Sequence, residues 1–196
     1  MGGFSVEDIA TMQTADVNTF ADVIYFRGCS RCCEYCFNRE LACNTGNNMN
    51  TFDILKVLYT SPSRWVVLSG GEPLEQNLLD LKDLIDKIHD MGKKVCVLTS
   101  YPDPWKYMNA DHYHIHLNIC EIDEPLPSNV SLGLISYHIG EESMETMLRN
   151  IDKNVPIYVK TCYGYEEISN AQVNALYISA ILGFKKVYVD KQLEVE

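Results

Sequence analysis

From residue 20 onward, the chain alternates short apolar runs with longer stretches in which apolar residues recur every three or four positions. The short runs suit strands buried on both faces, and the longer stretches suit helices with one covered face. Val23-Ile-Tyr-Phe is apolar and β-prone, and it stops at Arg27-Gly28. Thr51 to Tyr59 has helical spacing through Ile54, Leu55 and Leu58, with Thr51 and Asp53 as candidate caps. Trp65-Val-Val-Leu reads as a buried strand ending at Gly70-Gly71. The clearest helix is Leu78 to Met91, where Leu78, Leu81, Leu84, Ile85 and Ile88 share a face and Gly92 closes the end. Val95-Cys-Val-Leu-Thr is the next strand.

The same rhythm continues with less contrast. His112 to Cys120 and Val130 to Tyr137 read as strands, and Glu141 to Ile151 as a helix. Val155 to Cys162 is a strand, Glu167 to Leu182 a helix ending at Gly183, and Lys186 to Val189 a last short strand. Strand–helix alternation of this kind places parallel strands side by side with helices packed outside. About six strands are too few for a full eight-stranded barrel. The expected fold is therefore α/β, a partial (open) parallel β/α barrel. With no repeat, low-complexity tract or linker, residues 1–196 are expected to form a single domain.

Composition narrows the function classes. Hydrophobic residues make up 46% and charged residues 22%, an ordinary globular balance. Net charge is −11, with Lys and Arg scattered singly or in pairs. Gripping a phosphate backbone needs clustered cations, so nucleic acid is disfavoured as a main partner. No charge-free apolar run reaches the roughly 18 residues that suggest a membrane span. The N-terminus lacks the pattern of a secretory signal, and Val6 stands where a myristoylation site wants Ser or Thr. No membrane partner is expected, and the expected location is cytoplasmic.

Eight cysteines are present, and Cys29, Cys32, Cys33 and Cys36 crowd into one short segment after the first apolar run. Crowded thiols in a cytosolic protein more often bind metal than form disulfides. Cys29, Cys33 and Cys36 have the spacing C-x3-C-x2-C, which can hold three irons of a cubane and leave the fourth open. Zinc on Cys29, Cys32, Cys33 and Cys36 is a rival, although structural zinc sites usually draw two separated pairs from different turns. A redox C-x2-C pair is a third reading. Cys96, Cys120 and Cys162 sit singly in apolar stretches and read as buried small hydrophobes. Cys43 reads as structural.

A second motif, Ser69-Gly70-Gly71-Glu72-Pro73, ends the second parallel strand. Its glycines let backbone approach a ligand without a Cβ in the way, and Glu72 offers a carboxylate to an ammonium group. The plainer reading is a tight turn with Glu72 at a helix start. The two motifs follow successive parallel strands, which puts both on the rim where such folds place their chemistry.

Together, Cys29-x3-Cys33-x2-Cys36, with aromatic Tyr35 before the last cysteine, and the later Gly70-Gly71-Glu72-Pro73 resemble the radical S-adenosylmethionine (SAM) superfamily. The likeness covers about the first 120 residues, and beyond them only the strand–helix order. It implies a [4Fe–4S] cluster on Cys29, Cys33 and Cys36 whose open iron chelates the amino and carboxylate groups of SAM. It also implies that the Ser69–Pro73 segment binds the SAM amino group and that Tyr35 lies near the adenine. Reductive cleavage of SAM would give a 5′-deoxyadenosyl radical that takes a hydrogen atom from the substrate. A flavodoxin- or ferredoxin-type protein is the implied reductant.

Within the superfamily, Phe26-Arg-Gly-Cys, Cys36-Phe-Asn-Arg-Glu-Leu and Val67-Leu-Ser-Gly-Gly-Glu-Pro-Leu-Glu-Gln resemble stretches of glycyl-radical-enzyme activating proteins, especially that of anaerobic ribonucleotide reductase. The implied partner is a glycyl radical enzyme, from whose backbone glycine hydrogen is taken. The alternative is a small-molecule enzyme of the same compact kind, such as 7-carboxy-7-deazaguanine synthase. A cluster-stabilised or zinc-stabilised binding module is the non-catalytic reading, and it leaves Gly70-Gly71-Glu72 without a role.

Further candidates lie at later strand ends. Thr99 and Ser100 end the third strand, where their hydroxyls are candidates for the SAM ribose or carboxylate, against the plain reading of turn caps. Asn118 stands where activating proteins often carry Asp-x-Lys, and is a candidate for SAM. Lys160 reads first as a solvent-facing lysine, with pairing to a carboxylate inside the barrel as the alternative. His112, His114 and His116 share one strand face, which reads as surface imidazoles before it reads as a metal site.

Overall fold

The computed structural model describes residues 3–14, 19–31, 33, 36, 39–43, 47–116, 122, 125–136, 140–161 and 164–191. These residues form two compact units, Met1–Thr99 with Asp103–His114, and Ser100–Pro102 with Ile115–Glu196.

The first unit opens on β1 (Gly3–Thr14), which pairs antiparallel with β2 (Phe20–Phe26) on one side. On its other side β1 pairs antiparallel with the short β3 (Asn47–Asn50). Between β2 and β3 lies α1 (Arg39–Cys43). Then come α2 (Thr51–Thr60), β4 (Trp65–Gly70), α3 (Leu78–Asp90), β5 (Lys94–Thr99) and the first three residues of β6 (His112–His116), whose last two residues belong to the second unit. Strand order is β3-β1-β2-β4-β5-β6, with β2, β4 and β5 parallel. The second unit holds β7 (Val130–Ile135), α4 (Glu141–Leu148), β8 (Ile157–Thr161), α5 (Gly164–Ala180) and β9 (Val187–Lys191), with β7, β8 and β9 parallel. The fold is α/β with a largely parallel sheet that stays open, as expected.

The described residues contain nine strands where about six were expected. The additions include β1 and β3, both antiparallel. β1 mixes charged and apolar residues, and its pairing with β2 shifts register between Val6 and Asp8 and between Ala10 and Gln13. Each shift breaks the two-residue alternation that would reveal a strand in sequence.

The central strands are covered on both faces, so their runs are almost continuously apolar. Ala21, Val23, Val67 and Cys96 form one buried cluster, joined by Tyr25, Trp65 and Leu98. By alternation, Ile24, Phe26, Val66, Leu68, Val95 and Val97 face the other way, and all are buried. α3 packs on β5 and α2 on α3, burying Ile54, Leu58, Leu81, Leu84, Ile85 and Ile88. Cys96 is a buried hydrophobe, as expected; Cys120 and Cys162 lie outside the described residues.

The cap of α2 is Asn50, whose side chain accepts from the Asp53 N–H at 3.0 Å, and not Thr51 or Asp53. Asn77 caps α3 by accepting from Leu79 and Asp80. Gly92 follows α3 at φ +74°, the left-handed conformation that lets the chain turn into β5.

Candidate active site

Three parallel strands end together in the first unit, and each delivers part of one rim. β2 runs out into Arg27, Gly28 and Cys29; β4 into Gly71 and Glu72; β5 ends at Thr99. Gly28 and Gly70 adopt φ +88° and +93°, where a side chain is strained.

The two loops are bonded to each other through backbone. Gly71 N–H donates to Phe26 O at 2.7 Å, and Glu72 N–H donates to Gly28 O at 2.9 Å. A Cβ on Gly71 would stand 2.2 Å from Gly28 O, and one on Gly70 2.4 Å from Phe26 O. Both glycines are therefore required by this approach, whatever else they do.

The cysteine loop returns to its own start. Gly28 N–H donates to Leu41 O at 2.9 Å and Cys29 N–H to Ala42 O at 3.1 Å, so α1 closes the loop at its base. Within it, Cys36 N–H donates to Cys33 O at 3.1 Å. Cys29, Cys33 and Cys36 are all thiols and all half-buried. Thiolates are soft ligands suited to iron–sulfur clusters, and half-burial leaves one side of each accessible. Among the described residues no three His, Cys, Asp or Glu side chains converge as a site for one metal ion. A cubane asks for something different, since each cysteine binds a separate iron. Three half-buried thiols within eight residues of one another in sequence, following a strand end whose backbone meets the bare Gly70-Gly71 backbone, fit that group. Cys32 and Tyr35 lie outside the described residues, as does Asn118.

Glu72 is 3% exposed, which makes it a buried carboxylate at the centre of the rim. Its Oε1 accepts from the Leu74 N–H at 3.1 Å and from the Thr99 hydroxyl at 2.6 Å. The first bond is the cap of a 3-10 turn (Pro73–Glu75), so the plain turn-start reading is realised too. The second assigns Thr99 a place the sequence did not suggest, because its hydroxyl is directed at Glu72. Pro73 is buried as the first residue of that turn, Ser69 is half-buried at the end of β4, and Ser100 is buried.

Two further candidates differ from their first readings. Lys160 is 3% exposed, so it is not a solvent-facing lysine. His114 is fully buried, with His112 and His116 half-buried, so the three are not a surface imidazole face. Sequence reading missed Ser30, Glu75 and Gln76, which tie the two loops together through side chains. Glu75 and Gln76 directly continue the Gly-Gly-Glu-Pro-Leu stretch, but nothing in their spacing names a partner 45 residues away in the chain.

Residues 19–122, just over half of the chain, match the model of the family described as 4Fe-4S single cluster domain. Over 86 residues the chain is 35% identical to a 7-carboxy-7-deazaguanine synthase of Bacteroides thetaiotaomicron, and that stretch spans 44% of this chain and 44% of the relative. Among solved structures, QueE from Escherichia coli is similar with a TM-score of 0.63 and 16% identity, over 98% of this chain and 95% of that one. Streptococcus suis SuiB, solved bound to precursor peptide SuiA, is similar with a TM-score of 0.60 and 14% identity, over 86% of this chain and 48% of that one. At such identities both structures speak for the fold alone. The matched segment contains both motifs and the three strands whose ends bring them together. The chain therefore belongs to the 4Fe-4S single cluster domain family, as a radical SAM-type protein with a [4Fe–4S] cluster and SAM as its cofactors.

Proposed function

We propose that the chain is a radical SAM enzyme acting on a small, pterin-like molecule, in the manner of 7-carboxy-7-deazaguanine synthase. The observation that carries this reading is the 35% identity to an enzyme of that name. The fold likeness to QueE along nearly all of both chains supports it. That identity favours a small-molecule enzyme over the glycyl radical partner that the short sequence stretches suggested.

Cys29, Cys33 and Cys36 would hold three irons, and the cluster with SAM would supply, on reduction, a radical able to take hydrogen from carbon. Glu72, whose carboxylate is held in one orientation by the Leu74 N–H and the Thr99 hydroxyl, would receive the SAM ammonium. Gly70 and Gly71 keep the strand end bare, so that cofactor can approach backbone.

A second reading, a peptide or protein substrate, is favoured by one observation: SuiB was solved with a peptide bound. One experiment separates the two. Anaerobically loaded protein with reductant and SAM is given pterin-like small molecules, or separately a glycyl radical enzyme. A 7-carboxy-7-deazaguanine product, identified by mass and ultraviolet spectrum, is the expected result. A glycyl doublet in the electron paramagnetic resonance spectrum of the partner, with no pterin turnover, would sink the proposal.

A further inference from the structure

Glu75 ends the 3-10 turn that follows Glu72, yet its side chain serves the cysteine loop instead of its own turn. Ser30, directly after Cys29, donates its backbone N–H to Glu75 Oε2 at 2.8 Å and its hydroxyl to Glu75 Oε1 at 2.6 Å. The next side chain works in parallel. Gln76 Nε2 donates to Arg27 O at 3.0 Å, and Gln76 Oε1 accepts from the Ser5 N–H at 3.3 Å. Two consecutive side chains thus grip the loop on both sides of the Gly28–Cys29 step. Both Glu75 oxygens go to one residue, although Glu75 is exposed and water is available to them.

We propose that Glu75 is a positioning residue for the cluster: it fixes Cys29 through Ser30 and holds the cluster's reduction potential down. Two effects act with the same sign. Hydrogen bonds donated to cluster or thiolate sulfur stabilise the more negative reduced state and raise the potential. The Ser30 N–H is directed to Glu75, so it is withheld from the neighbouring Cys29 thiolate. The Glu75 carboxylate also places a negative charge one residue from a cluster ligand, which disfavours adding an electron. Solvent screens that charge but does not reverse its sign. A low potential is what electron delivery to a sulfonium demands. The proposal rests on Cys29, Cys33 and Cys36 being the cluster ligands, and it is independent of the substrate.

The test compares wild type with Glu75→Gln, Glu75→Ala and Ser30→Ala, each loaded anaerobically with iron and sulfide. Iron is counted, and the potential is measured by redox titration followed by electron paramagnetic resonance, without SAM or substrate. Glu75→Gln keeps the shape and one acceptor oxygen, so it should hold as much iron as wild type at a higher potential. Glu75→Ala should raise the potential and lose iron faster to a chelator. Ser30→Ala keeps the backbone donor and should shift the potential less than Glu75→Ala. Should Glu75→Ala fail to fold, Glu75→Gln decides the matter. A fully loaded Glu75→Gln with an unaltered potential overturns the proposal. A wild type that takes up iron only as a single ion overturns the ligand assignment, and the proposal with it.

Discussion

Gly71 is the tightest point of the rim, because the backbone of one loop rests on the backbone of the other there. A Cβ at that position would meet Gly28 O at 2.2 Å and Gly28 C at 2.9 Å, and backbone cannot swing away as a flexible side chain can. Gly71→Ala is therefore expected to destabilise the fold by roughly 1–3 kcal/mol, the range for overpacking, and to lower iron uptake by displacing the start of the cysteine loop. Urea denaturation and iron counting check both. Glu72 acts differently, because its carboxylate is already ordered by two donors. Glu72→Gln keeps an oxygen for Thr99 and Leu74 and removes only the charge. A charged hydrogen bond is worth about 1.5–3 kcal/mol, so SAM affinity should fall by roughly ten- to a hundred-fold while stability changes little. Equilibrium binding to the loaded protein measures it, and an unchanged affinity would leave Glu72 as a turn cap only.

At the scale of elements, the two ends of the parallel strands are built on opposite principles. The rim where β2, β4 and β5 end is held by backbone bonds and bare glycines. The other end is held by a buried polar network. Asp22, fully buried near the start of β2, accepts from the Ser61 hydroxyl at 2.6 Å and lies 3.4 Å from the Lys93 ammonium. Lys93 also donates to Ser61 O at 2.9 Å and Ser63 O at 2.6 Å, tying together the connections α2–β4 and α3–β5. Removing one partner leaves a buried charge unmatched. Lys93→Met should therefore cost about 3–5 kcal/mol, read by urea denaturation, with iron uptake unaffected at temperatures where the variant stays folded. Equal iron loss in this variant would show that the two ends are not independent.

For the whole molecule, the reading of one cluster per chain makes a stoichiometric prediction. Anaerobic reconstitution should give about four irons and four sulfides per chain, and reduction with SAM should release 5′-deoxyadenosine and methionine. Cys29→Ala, Cys33→Ala and Cys36→Ala should each abolish the cluster, whereas Cys32→Ala should spare it; iron loss in Cys32→Ala equal to that in Cys33→Ala would refute the ligand set. Much of this was legible in the residues. The apolar runs of β2, β4 and β5, the stripe of α3 and the spacing of the cysteines are local patterns, set by strand and helix periods and by the reach of three thiols on one loop. They determined an open α/β fold and placed two motifs on one rim. Tertiary structure decided what depends on pairs distant in the chain. β1 escaped notice because its register shifts erase alternation, and Lys160 and His114 passed for surface residues because burial is a property of neighbours, not of side-chain type. Thr99 was placed on Glu72, and Glu75 on Ser30, by the parallel register of β2, β4 and β5 and the close glycine contact between their loops. No local pattern encodes those pairings, since the partners meet only when three separate strands end at the same height.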